Sequence, residues 1–369
     1  MTPISPPADI RPLTSLRFFA ALWVIVFAFW ENLAAPLTPF LVAKGYLGVE
    51  LFFVLSGFIL SHVYLETAGE GGFSYRGFLW ARIARVYPLH LATLLGVMAL
   101  GVAATVAGLG IDGNVLAWSA LPANLAMVHA WGLAPVAGFN HPSWSISAEW
   151  FAYLSFPAFA FVAWRLRCWP VATAAAAGGL LVGLYLVFEG LAGFPLTQAT
   201  IRWGALRIVP CFALGVALYL VYRRAPLPRA GLVATAAAAT MLGAAAIGLW
   251  DGIIVLFAGL LILALASLPN ERAGWLASRP AVYLGEISYS VYMVCVPWKL
   301  LAVNLAARLT DAPDKQLHIL VWAPVVLGTV AVAAVSYHLV EKPARKALRG
   351  WADRPKPARP ATKAGAQVA

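Results

Sequence analysis

The sequence predicts an all-α, polytopic membrane protein: about ten transmembrane helices plus one re-entrant or interfacial helix, with N and C termini cytoplasmic. Three observations carry that expectation. Hydrophobic residues make up 62 % of the 369 residues and charged ones 11 %, against roughly a quarter charged in a soluble domain. The stretches Val86–Ile111, Cys168–Phe188, Ala230–Trp250, Gly252–Asn270 and Gln316–Val340 hold no Asp, Glu, Lys or Arg, and each is near or above the ~20 residues a helix needs to cross a bilayer. The basic residues alternate in position from one connecting segment to the next. This pattern excludes a soluble enzyme, and it excludes disorder everywhere but the tail.

The formal charge of +11 invites a nucleic-acid partner, but the positions of the basic residues answer it more simply, and no nucleic acid is expected. Apart from Lys44, Arg202, Arg207, Lys299, Arg308 and Lys315, the Lys and Arg, 20 of 26, fall near Arg11, Arg82, Arg165, Arg223, Arg272 or in the C-terminal run from Lys342 to Lys363. Basic residues concentrate on the cytoplasmic side. The expected spans then follow in order. The first, 13–34, has no A-x-A-like exit and is read as retained, not as a cleaved signal peptide. Spans 46–65 and 80–108 flank the Arg76 loop, and 144–164 closes on Arg165 and Arg167. Span 170–189 opens at Pro170, and 203–222 closes on Arg223 and Arg224. Spans 230–250 and 252–269 meet at Asp251, 281–307 starts after Arg279, and 318–340 runs to Lys342.

The apolar stretch from Leu116 to Trp131 breaks the alternation. Asp112 lies outside and Arg165 inside, so this stretch enters and leaves on one side, which is allowed where it lines protein rather than lipid. Two regions follow: a transmembrane domain over 1–346 and a disordered, basic, Pro-rich cytoplasmic tail over 347–369 that suits contact with anionic membrane lipid. Cys168, Cys211 and Cys295 are odd in number and sit in or beside apolar runs, so neither disulfide nor metal site is suggested.

Polar residues inside spans carry the functional information, because a charge in lipid is costly and usually faces a cavity or a partner. Arg17 lies one turn into the first span. Position 28, an alanine, follows after about three helical turns, so it shares the arginine's face about 16 Å away, near the bilayer centre. Arg82 and Arg85, at i and i+3, project from one side of a helix. They read either as positive-inside anchors or as a fork for phosphate oxygens, with Tyr87 immediately after. Ser145 and Glu149, at i and i+4 behind Trp144, suit either a structural pair or proton chemistry, and His141 precedes them. Ser56-Gly57 suits close helix approach. Arg202 and Arg207 break the charge pattern at an outer surface; they either snorkel or hold a polar ligand arriving from outside.

Taken in order, these segments resemble the acyltransferase-3 family of integral-membrane enzymes that modify bacterial surface glycans such as O-antigen, exopolysaccharides and Nod factors. The resemblance rests on Leu13–Leu22, on Gly48–Leu60 (GVELFFVLSGFIL), on Arg82-Ile83-Ala84-Arg85-Val86-Tyr87-Pro88, and on Trp144–Glu149. Arg207–Gly215, Gly285–Tyr292 and Glu341-Lys342-Pro343 complete the order. In two places the chain departs from the pattern: Ala28 stands where the family carries a histidine, and Cys295 where many relatives have one.

The resemblance implies transfer of an acyl group, acetyl in the first instance, from acetyl-CoA to a hydroxyl of an extracytoplasmic polysaccharide or lipid-linked sugar at the bacterial inner membrane. Arg17, Arg82, Arg85 and Tyr87 would bind acyl-CoA. A base at position 28 would be assisted by Glu149 and Ser145. Arg202, Arg207, His141 and Trp144 would hold the acceptor. No metal is implied. On the same ground Ala28 makes this chain an inactive variant, engineered or natural, because an imidazole titrates near neutral pH without help. The alternative is a transporter or flippase using the same arginines as a path for an anionic or lipid-linked molecule.

Overall fold

The computed structural model describes residues 9–108 and 113–352. Asp112 and the tail beyond Ala352 lie outside the described residues. Among those described, the elements in chain order are α1 (Arg11–Trp30), the short α2 (Phe40–Ala43), α3 (Gly48–Gly69), α4 (Tyr75–Val106), α5 (Leu121–Leu125), α6 (Ser143–Leu166), α7 (Pro170–Ala192), α8 (Gly204–Arg224), α9 (Ala230–Ala246), α10 (Asp251–Ala266), α11 (Arg279–Glu286), α12 (Ser288–Leu309), α13 (Ile319–Ser336) and α14 (Lys342–Ala352). Eight helical stretches are long and apolar enough to cross a membrane, while α9 and α10 have 17 and 16 residues. The ten expected segments are therefore eight long helices and a short hairpin. Inner and outer below follow the orientation given by the basic loops.

The centre of the protein is α3 against α8. A Cβ placed on Gly215 would lie 1.9 Å from the Val54 carbonyl oxygen, and one on Gly57 would lie 2.2 Å from that of Phe212. Only glycine lets the two backbones meet this closely, as small residues do between membrane helices. α6, α7 and α10 pack around this pair, and α1 lies against α3, α11 and α12. Gly285 brings α11 against Thr14 of α1 in the same way.

Three elements depart from expectation. α1 ends at Trp30 and not at 34, because the chain switches to an extended pairing with Leu317: Ala34 N donates to Leu317 O at 3.0 Å and Leu317 N to Asn32 O at 2.8 Å, with Pro36 next. The stretch 116–131 is a series of short turns and not one helix: α5, with Pro122 in its first turn, ends before Met127 at φ 55°, and Gly132 at φ 79° closes the stretch. It nonetheless folds back along α4. Leu116 packs near Gly101 of α4, while Leu125 O accepts from Tyr87 Oη at 3.1 Å and Asn124 O bonds His90 at 2.8 Å, so the loop descends about 21 Å along α4. Finally, α13 passes through a π-turn at Tyr337–Glu341 directly into α14, so residues 347–352, assigned above to the tail, continue a helix.

Within that loop His129 Nε2 and Ser143 Oγ lie 3.0 Å apart in a hydrogen bond, and the His129 ring stacks on that of His90 at 6.1 Å, which ties the loop to both α4 and α6.

Candidate active site

Two cavities lie one above the other along α1. The inner one, about 120 Å³, is lined by Arg17 from α1, Ser56 from α3, Arg82 and Arg85 from α4, and Ser145, Glu149 and Tyr153 from α6. The outer one, about 540 Å³, is lined by Val24 and Ala28 from α1, His141 and Trp144, Thr197 and Gln198, and Cys295 from α12. Val49 and Tyr292 belong to both walls. Tyr292 Oη donates to Pro142 O at 3.0 Å, which fixes the partition between the cavities.

The expected stripe on α1 is present, with Arg17 facing inward and Val24 and Ala28 outward. Position 28 lies in the last turn of α1, on the outer cavity, and not midway along the span. Lys299, one turn beyond Cys295, donates to the Ala28 carbonyl oxygen and pairs with Glu31 at 2.5 Å, tying α12 to this end of α1.

The inner cavity holds an unbalanced charge. Among the described residues, neither Arg17 nor Arg85 makes a hydrogen bond or ion pair, and the two are within electrostatic range of each other. Arg82 leans on the Tyr64, Phe78 and Tyr153 rings at 5.6–5.9 Å and donates weakly to Tyr64 Oη at 3.3 Å. Its Nε is buried without an acceptor. Opposing these guanidiniums in the lining is the single carboxylate of Glu149, which accepts from Ser56 Oγ at 2.7 Å. Three guanidiniums thus line the cavity with one carboxylate, and the buried Glu341 lies just outside the lining, within electrostatic range of Arg17 and Arg85. Ser56, read above only as a packing residue, orients Glu149; its spacing from Gly57 gave no sign of that.

Several expected members are elsewhere. Tyr87 does not line the inner cavity, because its hydroxyl is spent on the loop folded back along α4. Arg202 is exposed and stacks on Trp203 at 5.6 Å, outside both linings. Arg207 borders the outer cavity, but its guanidinium is committed: Nε and Nη2 reach Glu50 at 2.5 and 3.0 Å and Nη1 reaches Ala199 O at 2.8 Å, over the Trp144 ring at 4.5 Å. It is a buried brace between α3 and α8 and not a free ligand for an acceptor. The pair escapes sequence reading because its partners are 157 residues apart. Ser145 and Glu149 face the inner cavity while Ala28 and His141 face the outer one, so Glu149 is not brought onto position 28.

Cutting the brace has a calculable consequence. Glu50→Gln leaves Arg207 charged and buried, which costs about 3–5 kcal/mol. The variant is expected to unfold at a markedly lower temperature in detergent. An unchanged midpoint would mean that the pair contributes nothing to the α3–α8 contact.

His141 borders the outer cavity from an exposed position just ahead of α6. At the outer rim Asp251 accepts from Lys44 at 2.6 Å, from Tyr46 at 2.8 Å and from Thr197, which anchors the mouth of that cavity.

A cationic inner slot, an outer cavity and a shared wall define a membrane acyltransferase once the comparisons are added. Residues 12–338 match the family model described as an acyltransferase domain, and the chain belongs to the acyltransferase-3 family. It is 33 % identical to the acyltransferase MdmB of Streptomyces mycarofaciens, over 78 % of this chain and 79 % of that protein. A shorter similarity, 39 % over 90 residues, covers 24 % of this chain and 44 % of protein 2 in the picA locus of Rhizobium radiobacter. No solved structure matches.

Proposed function

We propose that this acyltransferase takes its acyl group, acetyl in the first instance, from acyl-CoA on the cytoplasmic side. It delivers the group to a hydroxyl of a polysaccharide or lipid-linked sugar on the outer face of a bacterial inner membrane. The observation that carries the reading is the unpaired arginine set of the inner cavity, separated only by Val49 and Tyr292 from a larger cavity on the other side. Arg17, Arg82 and Arg85 hold the donor's diphosphate, and Glu149, set by Ser56, keeps their guanidiniums apart. The pantetheine arm passes the Tyr292 partition and brings the thioester towards position 28.

In the outer cavity, His141, Trp144, Thr197 and Gln198 offer polar and aromatic contacts to a sugar. The acceptor oxygen bonds the thioester carbonyl carbon, the carbon–sulfur bond breaks, and the acceptor's proton ends on the departing thiol. With Ala28 in the wall, position 28 supplies no base for that proton, and this chain holds donor without efficient turnover.

Purified protein in liposomes separates this reading from transport. Acyl-CoA binding, with thiol release appearing in Ala28→His, supports acyl transfer. Uptake of an anionic solute without CoA consumption overturns it.

A further inference from the structure

The C-terminal helix adds a second group of cations beside the inner cavity. α14 is docked on the start of α4: Trp80 Nε1 donates to Leu348 O at 2.8 Å, two residues before Arg82. On α14, Arg345 and Arg349 stand at i and i+4 and share one face. Arg345 stands 4.0 Å from Glu341 Oε1, while the other oxygen of that carboxylate accepts from Ser290 Oγ at 2.7 Å. Arg349 has no carboxylate partner among the described residues. The charges around it are those of Arg345, Arg82 and Arg85.

Like charges gathered on one surface repel, and at this spacing they destabilise a helix rather than support it. Their convergence is explained if an anion spends part of its time among them. The inner slot already accounts for one anionic group. Arg345 and Arg349 lie outside its lining, on a different helix, and so address a second one.

We infer that Arg345 and Arg349 form a phosphomonoester subsite at the cytoplasmic mouth of the inner cavity. The donor is then recognised through two separate phosphate groups: a diphosphate by Arg17, Arg82 and Arg85, and a terminal phosphate by α14. The inference rests on the acyl-CoA reading above and narrows it to donors carrying the 3′-phosphate. A dianionic monoester suits two forked guanidiniums better than the singly charged diester of a lipid headgroup. An anionic headgroup is the competing source of the same chemistry.

The test measures binding of CoA and of 3′-dephospho-CoA to the full chain in nanodiscs of neutral lipid. The starting protein is expected to prefer CoA by about tenfold or more. In Arg345→Gln/Arg349→Gln the preference should shrink to near unity with dephospho-CoA affinity unchanged. Arg349→Gln alone, at an exposed position without a partner, should remove much of it and guards against a folding defect from loss of the Glu341 contact. A preference that persists in both variants overturns the subsite, as does equal affinity for the two ligands in the starting protein. So does a variant that loses only its affinity for anionic-lipid vesicles. If neither ligand binds the starting protein, the acyl-CoA reading itself fails, a result distinct from binding without discrimination.

Discussion

Replacing Ala28 by histidine is expected to raise acyl transfer by about 10²–10⁴-fold, the range a positioned general base contributes. The site is prepared for it. Position 28 is in the final turn of α1, half-buried, and its side chain faces about 540 Å³ of open cavity, so an imidazole enters without displacing a packed neighbour. Lys299 holds the α1 backbone at this point through the Ala28 carbonyl, which limits how far the new ring wanders. Ala28→Gln is the control, because it adds comparable bulk and hydrogen-bonding capacity but no titratable nitrogen. Turnover should rise in the histidine variant alone. A rise of similar size in both would show that filling the cavity matters rather than proton transfer, and no rise in a variant that still binds donor would remove position 28 from the mechanism.

Neutralising Arg82 and Arg85 together is expected to weaken acyl-CoA binding by at least about 100-fold, since a hydrogen bond to a charged group contributes roughly 1.5–3 kcal/mol. These residues share one helix face and one cavity. Neither makes an ion pair among the described residues, whereas Arg207 is bonded directly to Glu50, so Arg82→Gln/Arg85→Gln is expected to lower the thermal midpoint less than Glu50→Gln does. That contrast separates the two classes of buried arginine here. Arg207 is fully paired and holds helices together, while Arg85 and Arg17 make no hydrogen bond or ion pair among the described residues and are proposed to take the donor. Anchoring at the membrane surface, the competing reading of the RxxR pair, predicts unchanged donor affinity.

The spans themselves were legible because a bilayer-crossing helix cannot hide its composition: charge-free runs and the alternation of basic loops place almost every long helix within a few residues. The ends were less so. α1 stops early because of a pairing with Leu317, a contact between distant segments that no local pattern announces, and that shift moves position 28 from the middle of a span to the rim of the outer cavity. A re-entrant or interfacial segment was expected from topology alone, but its division into short turns around Met127 and its bonds to Tyr87 and His90 of α4 leave no local signature in the sequence.

Within the site, Arg17, Arg82, Arg85 and Glu149 were legible because a charge in a span needs a reason. Arg202 and Arg207 looked alike by that test and proved different, one lying on the surface and the other buried against Glu50. Charge placement marks a residue as unusual. Only packing shows whether a partner in the protein already satisfies it.

Equilibrium binding of radiolabelled acetyl-CoA to the purified chain in neutral-lipid nanodiscs, run beside Arg82→Gln/Arg85→Gln, tests the central claim most directly. The account predicts saturable binding at one site per chain, weakened by salt and lost in the double variant while its thermal midpoint is retained. Absence of saturable binding by the folded starting protein, or equal binding by the two proteins, would contradict it.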